Sequence, residues 1–301
     1  MSAGICIQGR NLARNAMDQQ IKIIRSQSGG VLKGNSDAVH DMRVASRRFH
    51  VALCTFEPYL TPESATLLRE DAQNIYKSLG REREIDVMVS LLEGMRKEVD
   101  DPWRRSVDHA ITTLCYYRNA EEGACTRAAE RPLSDAFDTA HKVLYDMAPE
   151  SNSCARKLAR TTLEKQYKKV RKAFRAWRDV GEDENELHTV RIDLKKFRYA
   201  AEHFRTLYPK PLDAFIESVH QLQSKLGQWN DFRQLRDELT RIESDAPYRE
   251  AQGFPLIIQA YDRHAAIALK EALRSGTALF KQEERKIALK LLRNPGGKCC
   301  D

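Results

Sequence analysis

Four residues, His40, Arg43, Arg47 and His50, carry the clearest chemistry in this chain, and they return 148 residues later as His188, Arg191, Lys195 and Arg198. On a helix, at 100° per residue, each set falls within an arc of roughly 80°. Met42, Ala45, Phe49, Leu53 and Phe56 lie opposite the first arc, and Val190, Leu194, Phe197, Ala201 and Phe204 opposite the second. One face is for charge and the other for core. Rows of Arg and Lys are ordinarily solvated faces, but such faces mix in carboxylates that pair at i,i+4. Neither arc does, so its cations repel one another unless an anion sits among them. Arginine forks take phosphate oxygens two at a time, and a helix start adds partial positive charge where each motif histidine falls. The rise from His40 to Arg47 is roughly 10 Å, longer than a single phosphate needs. A row of that length suits a chain of phosphates.

Histidines in such a place could instead hold or move protons, as a phosphohistidine or a general acid. Catalysis on phosphate needs a carboxylate cluster for a metal or an activated nucleophile beside the base, and neither motif supplies one. Glu82-Arg83-Glu84-Ile85-Asp86 is superficially similar to the Glu-x-Glu-x-Lys of tunnel-type triphosphatases, but Asp86 stands where lysine is required. The expectation is therefore no catalytic residue, no metal ligand and no cofactor. His109, His141, His203, His220 and His264 are read as surface or packing residues, and Trp103, Trp177 and Trp229 as core aromatics.

The elements that must position these rows read as helices throughout, with no alternating strand pattern. A first helix is expected from 11 to about 28, ending at Gly29-Gly30. N-cap residues Gly34-Asn35-Ser36-Asp37 place His40 in or near the first turn of a helix that runs to Phe56 and breaks at Pro58. A long helical pattern from Thr61 follows, with Leu79-Gly80 as kink or cap and Asp100-Asp101-Pro102 as its end. Helices from Trp103 to about Glu122 and from Pro132 to Met147 come next, and 149–153 reads as a linker. The segment from Ala155 to Arg178 holds ten Lys or Arg against Glu164 alone, with Lys157, Arg160, Lys168, Arg171, Arg175 and Arg178 on one face and an apolar seam on another. Asp183 and Glu186 are spaced as a capping box ahead of His188. Leu226-Gly227 then occupies the place of Leu79-Gly80, and one helical pattern runs from about 256 to 292.

A chain of 301 residues is long enough for two domains or a duplicated one. The repeat decides for duplication: one unit over 10–292, made of halves 10–148 and 153–292, with a polar tail at 293–301. The formal charge is +7, with a pI near 9.0, an excess that favours anionic partners where it is concentrated. Seven cysteines without zinc spacing, and no signal-like or membrane-spanning stretch, lead us to expect reduced thiols, a cytoplasmic protein and no membrane partner.

The stretches His40-Asp-Met-Arg43-Val-Ala-Ser-Arg47-Arg48-Phe49 and His188-Thr-Val-Arg191-Ile-Asp-Leu-Lys195-Lys196-Phe197-Arg198, each followed by its Leu-Gly pair, resemble the CHAD family, the conserved histidine α-helical domain. The resemblance implies an all-α fold of two pseudo-symmetric four-helix bundles flanking a basic central cleft or pore. It also implies binding of inorganic polyphosphate and association with polyphosphate granules. By position, His40, Arg43, Arg47, Arg48, His188, Arg191, Lys195 and Arg198 would line the site, with Arg81 and Arg83 from the first Leu-Gly signature and Lys168, Arg171 and Arg175 from the basic helix. Gln228-Trp229-Asn230 is less basic than Arg81-Glu82-Arg83, which implies unequal halves. The competing readings are a nucleic-acid-binding helical protein, since any phosphate backbone feels the same field, and a phosphate-transferring or hydrolysing enzyme.

Overall fold

The computed structural model describes residues 3–100, 103–144, 154–180 and 184–296. Among them every regular element is helical. The helices are α1 (Ala3–Leu32), α2 (Ser36–Thr55), α3 (Pro62–Ser78), α4 (Gly80–Arg96), α5 (Trp103–Ala120), α6 (Glu122–Glu130) and α7 (Asp135–Val143), then α8 (Ala155–Val180), α9 (Glu184–His203), α10 (Pro211–Asp245), α11 (Tyr248–Ala251), α12 (Phe254–Phe280) and α13 (Gln282–Arg293). None is long and apolar enough to cross a membrane.

Several boundaries follow from local chemistry. Helix α1 does not stop at Gly29-Gly30. A Cβ on Gly30 would lie 2.6 Å from that of Ala38, so this glycine lets α1 press against α2. The stop is Gly34, at φ 67°, and the Asn35 side chain then accepts from the Ala38 N–H to start α2. Both motif helices end alike, in a short 3-10 turn (Glu57–Tyr59, Arg205–Leu207) before a proline-started helix. The two Leu-Gly pairs do not behave alike. At Leu79 the chain breaks between α3 and α4, whereas α10 runs through Leu226-Gly227 without a break for 35 residues, about 50 Å. The pattern expected as one helix from 256 to 292 is two, parted at Lys281, whose ψ of 163° is extended. Helix α6, with Cys125, Ala128 and Ala129 buried, was not separately legible. The linker at 149–153 and the Asp183 member of the capping box lie outside the described residues. Among the described residues, Cys54, Cys115 and Cys125 are free thiols.

The apolar residues form two cores. The larger joins α1, α2, α3, α6, α7, α8 and α9 with the first part of α10, the last part of α12 and α13. The smaller is a four-helix cluster: Ile85, Met88 and Leu92 of α4, Val107, Ala110 and Leu114 of α5, Leu235, Leu239 and Ile242 of α10, and Phe254, Ile257 and Tyr261 of α12. These cores do not coincide with the two sequence halves, because α4 and α5 pack against α10 and α12. Helices α10 and α12 are long enough to serve both cores. The stretches of α4 and α10 between the cores, near Arg83 and Asp231, are left for polar work.

Candidate functional site

Helices α2 and α9 pack on one another, with α4 against α2 and α10 against both α4 and α9. Their buried stripes, including Met42, Ala45 and Phe49 on α2 and Val190, Leu194 and Phe197 on α9, turn the basic arcs away from the core. The structure thereby brings His40, Arg43, Arg47, Arg83, His188, Arg191 and Lys195 into one electrostatic neighbourhood. Lys195 lies among Arg47, Arg191 and Arg43, and burial with these like charges holds its ammonium well below the usual lysine range. Arg191 is pushed down to about 10, by burial first and by Arg47, Arg233 and Arg43 next, against the pull of Asp231. Arg43 is lowered by burial and then by Arg47. Both motif histidines are lowered too, His40 by burial and Arg83, His188 by burial and Arg191.

Cations crowded in this way would ordinarily be offset by carboxylates. Among the described residues Arg43, Arg47, Arg83 and Lys195 have no ion-pair partner, and the buried Nε atoms of Arg43 and Arg191 make no hydrogen bond. Arg47 rests 5.2 Å from the Tyr76 ring centroid, and Arg191 donates to the Asn230 side-chain oxygen. Such a site is poised to receive anionic oxygens, which would satisfy the orphaned donors and relieve the repulsion at once.

Not every expected residue joins it. Arg48 and Arg198 share Glu202, at 3.3 and 2.9 Å, and both stack on Tyr199; Arg198 also donates to Gln223. Arg48 thereby clamps α2 to α9, and Arg198 ties α9 to α10. Arg81 turns to the buried Glu238, 3.0 Å away, and ties α4 to α10. His50 faces Tyr76 edge-on and has Lys196 and Arg69 as its charged neighbours. The arcs therefore act as rows of three, His40-Arg43-Arg47 and His188-Arg191-Lys195. Lys168, Arg171 and Arg175 line a cavity of about 450 Å³ with Arg285 of α13, and the charges that bear on Arg171 are Arg285, Arg175 and Arg178.

Three participants were not foreseen. Arg233 stacks 5.5 Å from the Trp229 ring centroid, pairs with Glu184 at 2.6 Å and bears on Arg191 and His188. Trp229 thus supports a cation besides packing in the core. Glu84 and Asp231 bring one carboxylate to each row, Glu84 near Arg43 and Asp231 near Arg191 and Lys195. Both stand four residues after the glycine of their Leu-Gly pair, a spacing visible in the chain but meaningless until α4 and α10 are seen beside the rows. Among the described residues no group of His, Cys, Asp and Glu could hold a metal ion.

The chain matches the family model of the CHAD domain over residues 15–240. Its fold is similar to the crystal structure of the CHAD domain from the plant Ricinus communis, at 21% identity and a TM-score of 0.61, covering 95% of this chain and 93% of that one. It is also similar to PptA from Streptomyces chartreusis, at 16% identity and a TM-score of 0.59, covering 87% of this chain and 99% of that one. No curated protein matches in sequence. With a family match over well over half its length and an all-helical fold like that of a solved member, the chain belongs to the CHAD family.

Proposed function

We propose that this protein binds inorganic polyphosphate, without turning it over, at the cluster formed where α2 and α9 meet. Membership of the CHAD family is compatible with a ligand of this class. The observation that carries the reading is the set of unpaired, partly desolvated cations, Arg43, Arg47, Arg83 and Lys195, drawn from three helices. A chain of phosphates offers charge at short intervals and no bases to accommodate, which matches a row of forks and ammonium groups. Burial first, and the neighbouring cations next, hold His40 and His188 toward their neutral forms, and a bound polyanion offsets the cations' part. Association with polyphosphate granules would follow from the same affinity. The two-repeat organisation, halves 10–148 and 153–292, is part of the proposal: each repeat supplies one row.

The test is a titration with long-chain polyphosphate at moderate salt. Saturable binding that weakens as salt rises is expected, and Arg43→Gln, Arg47→Gln and Arg191→Gln together should lower affinity at this cluster by about 100-fold or more. Unchanged binding by that variant would sink the assignment. RNA or duplex DNA displacing polyphosphate at equal phosphate concentration would replace it with a nucleic-acid reading. Phosphate release with a divalent metal, abolished by His40→Ala or His188→Ala, would replace it with an enzymatic one.

A further inference from the structure

Helix α13 lies against the basic helix α8, and the furrow between them carries a second set of cations. Two cavities of about 590 and 450 Å³ open along it and share Arg285 and Leu289. Arg160, Arg171, Arg175, Arg285, Lys286 and Lys290 line them, and none has a carboxylate partner among the described residues. The acidic groups at hand are already engaged. Glu164 sits between Lys168 at 2.7 Å and Arg293 at 2.6 Å, which hold its carboxyl down at about 2. Asp179, at the far end, is bound by Arg178 at 2.6 Å.

Under this rim the Arg171 Nε and the Tyr167 hydroxyl are buried without hydrogen-bond partners. Buried donors without partners beneath a ring of like charges favour an anion in the furrow, which would satisfy both. The aromatic rings here are closed to solvent, Tyr167 at 1% and Trp177 at 3% exposure. Bases of a nucleic acid would find no face on which to stack, whereas a chain of phosphates requires only the forks and ammonium groups. From Arg160 to Arg175 the helix rises about 22 Å, room for several phosphates. Helix α13 also lies beyond the residues matched to the family.

We propose that the α8–α13 furrow is a second polyphosphate-binding groove, separate from the α2–α9 cluster; the proposal rests on polyphosphate being this protein's ligand. Calorimetric titration of the full chain with a short polyphosphate of defined length tests it. The unmodified protein should bind at two sites. Arg175→Glu, Arg285→Glu and Lys290→Glu together change exposed side chains, so the fold, checked by circular dichroism, should persist. One site should then be lost, with the other's affinity kept within about threefold. Arg43→Gln with Arg47→Gln and Arg191→Gln should remove the other site and spare the furrow. A single site in the unmodified protein, indifferent to the furrow substitutions, overturns the second groove and leaves the α2–α9 assignment standing. A single site lost only on furrow substitution supports the groove and overturns the α2–α9 assignment, and no binding at all overturns both. Displacement of polyphosphate from the α2–α9 variant by single-stranded RNA at equal phosphate concentration would reassign the furrow to nucleic acid and overturn the proposal.

Discussion

Around α2 the charged row borders α4, where Arg83 adds a cation, Glu84 faces Arg43, and Arg81 turns away to Glu238. Around α9 the row borders the unbroken α10, where Asn230 takes a hydrogen bond from Arg191 and Asp231 and Arg233 stand at its edge. The two neighbourhoods descend from one sequence pattern, yet they hold charge differently. On α9, Arg191 is brought to about 10 and the Lys195 ammonium lies well below its usual range, with burial the first cause in both. Because α10 does not break at Leu226-Gly227, it keeps its polar residues packed over the α9 row. Repeated motifs can thus supply identical charges at unequal electrostatic cost. A desolvated cation is the more repelled without a ligand and the more rewarded with one, since screening by water is weaker there.

The largest expected effect is on affinity. Removing Arg191 (Arg191→Gln) should weaken polyphosphate binding by about 30- to 100-fold, in line with roughly 2–3 kcal/mol for a charge-assisted bond in a partly buried site. Removing Arg47 (Arg47→Gln) should cost about tenfold or less, because Arg83 and Arg43 remain on that side. Equal losses would show that the two rows contribute evenly and that burial does not set their weight.

A second difference lies at the C-terminal ends of the motif helices. Where α2 has Thr55, α9 has His203, 148 residues later, packed against Phe56 with its Nε2 buried and without a partner. Burial pushes His203 down to about 4, partly offset by a backbone hydrogen bond with Arg48. The sign is fixed by linkage: the unfolded chain takes up a proton below about 6.5 while the folded protein resists until about 4, so stability falls on acidification across that window. Between pH 6.5 and 5 this amounts to roughly 1.5 kcal/mol. His203→Gln should remove that part of the acid loss, as read by urea denaturation at the two pH values. An unchanged difference would place the acid sensitivity elsewhere.

The helical class and the basic helix faces that carry His40-Arg43-Arg47 and His188-Arg191-Lys195 were legible in the chain because helical periodicity separates charge from core residue by residue. What stayed hidden depends on partners distant in sequence. Arg48 and Arg198 fit the pattern but are claimed by Glu202 and Tyr199. Gly30 reads as a stop and serves as a packing contact with Ala38. Arg233 carries no motif and matters because α10 continues where α3 ends. The pairing of α4 and α5 with α10 and α12 has no local signal, since their apolar stripes would suit any neighbour.

Crowding on the α9 side also predicts a trade between stability and binding. Lys195→Met keeps an unbranched side chain of similar length and removes a desolvated charge from beside Arg47, Arg191 and Arg43. The unliganded protein should gain about 1–2 kcal/mol, as some proteins do when buried charges give way to apolar groups, while polyphosphate affinity falls. Thermal unfolding with and without polyphosphate separates the two. A lower Tm without ligand would mean that Lys195 has a stabilising partner in the folded protein.

The smallest effect concerns the Leu-Gly pairs themselves. Gly227 sits inside a continuous helix with open space where a Cβ would lie, whereas Gly80 opens α4 immediately after the break at Leu79. An interior helical glycine costs up to about 1 kcal/mol relative to alanine, through the backbone freedom it loses on folding. A glycine in the first turn forfeits less, because the hydrogen bonds that restrain it are fewer. Gly227→Ala should therefore stabilise by about 0.5–1 kcal/mol and Gly80→Ala by less, in denaturant titrations of each. If Gly80→Ala gained as much, the first pair would be behaving as helix interior, and the contrast between a broken α3–α4 and an unbroken α10 would lose its energetic meaning.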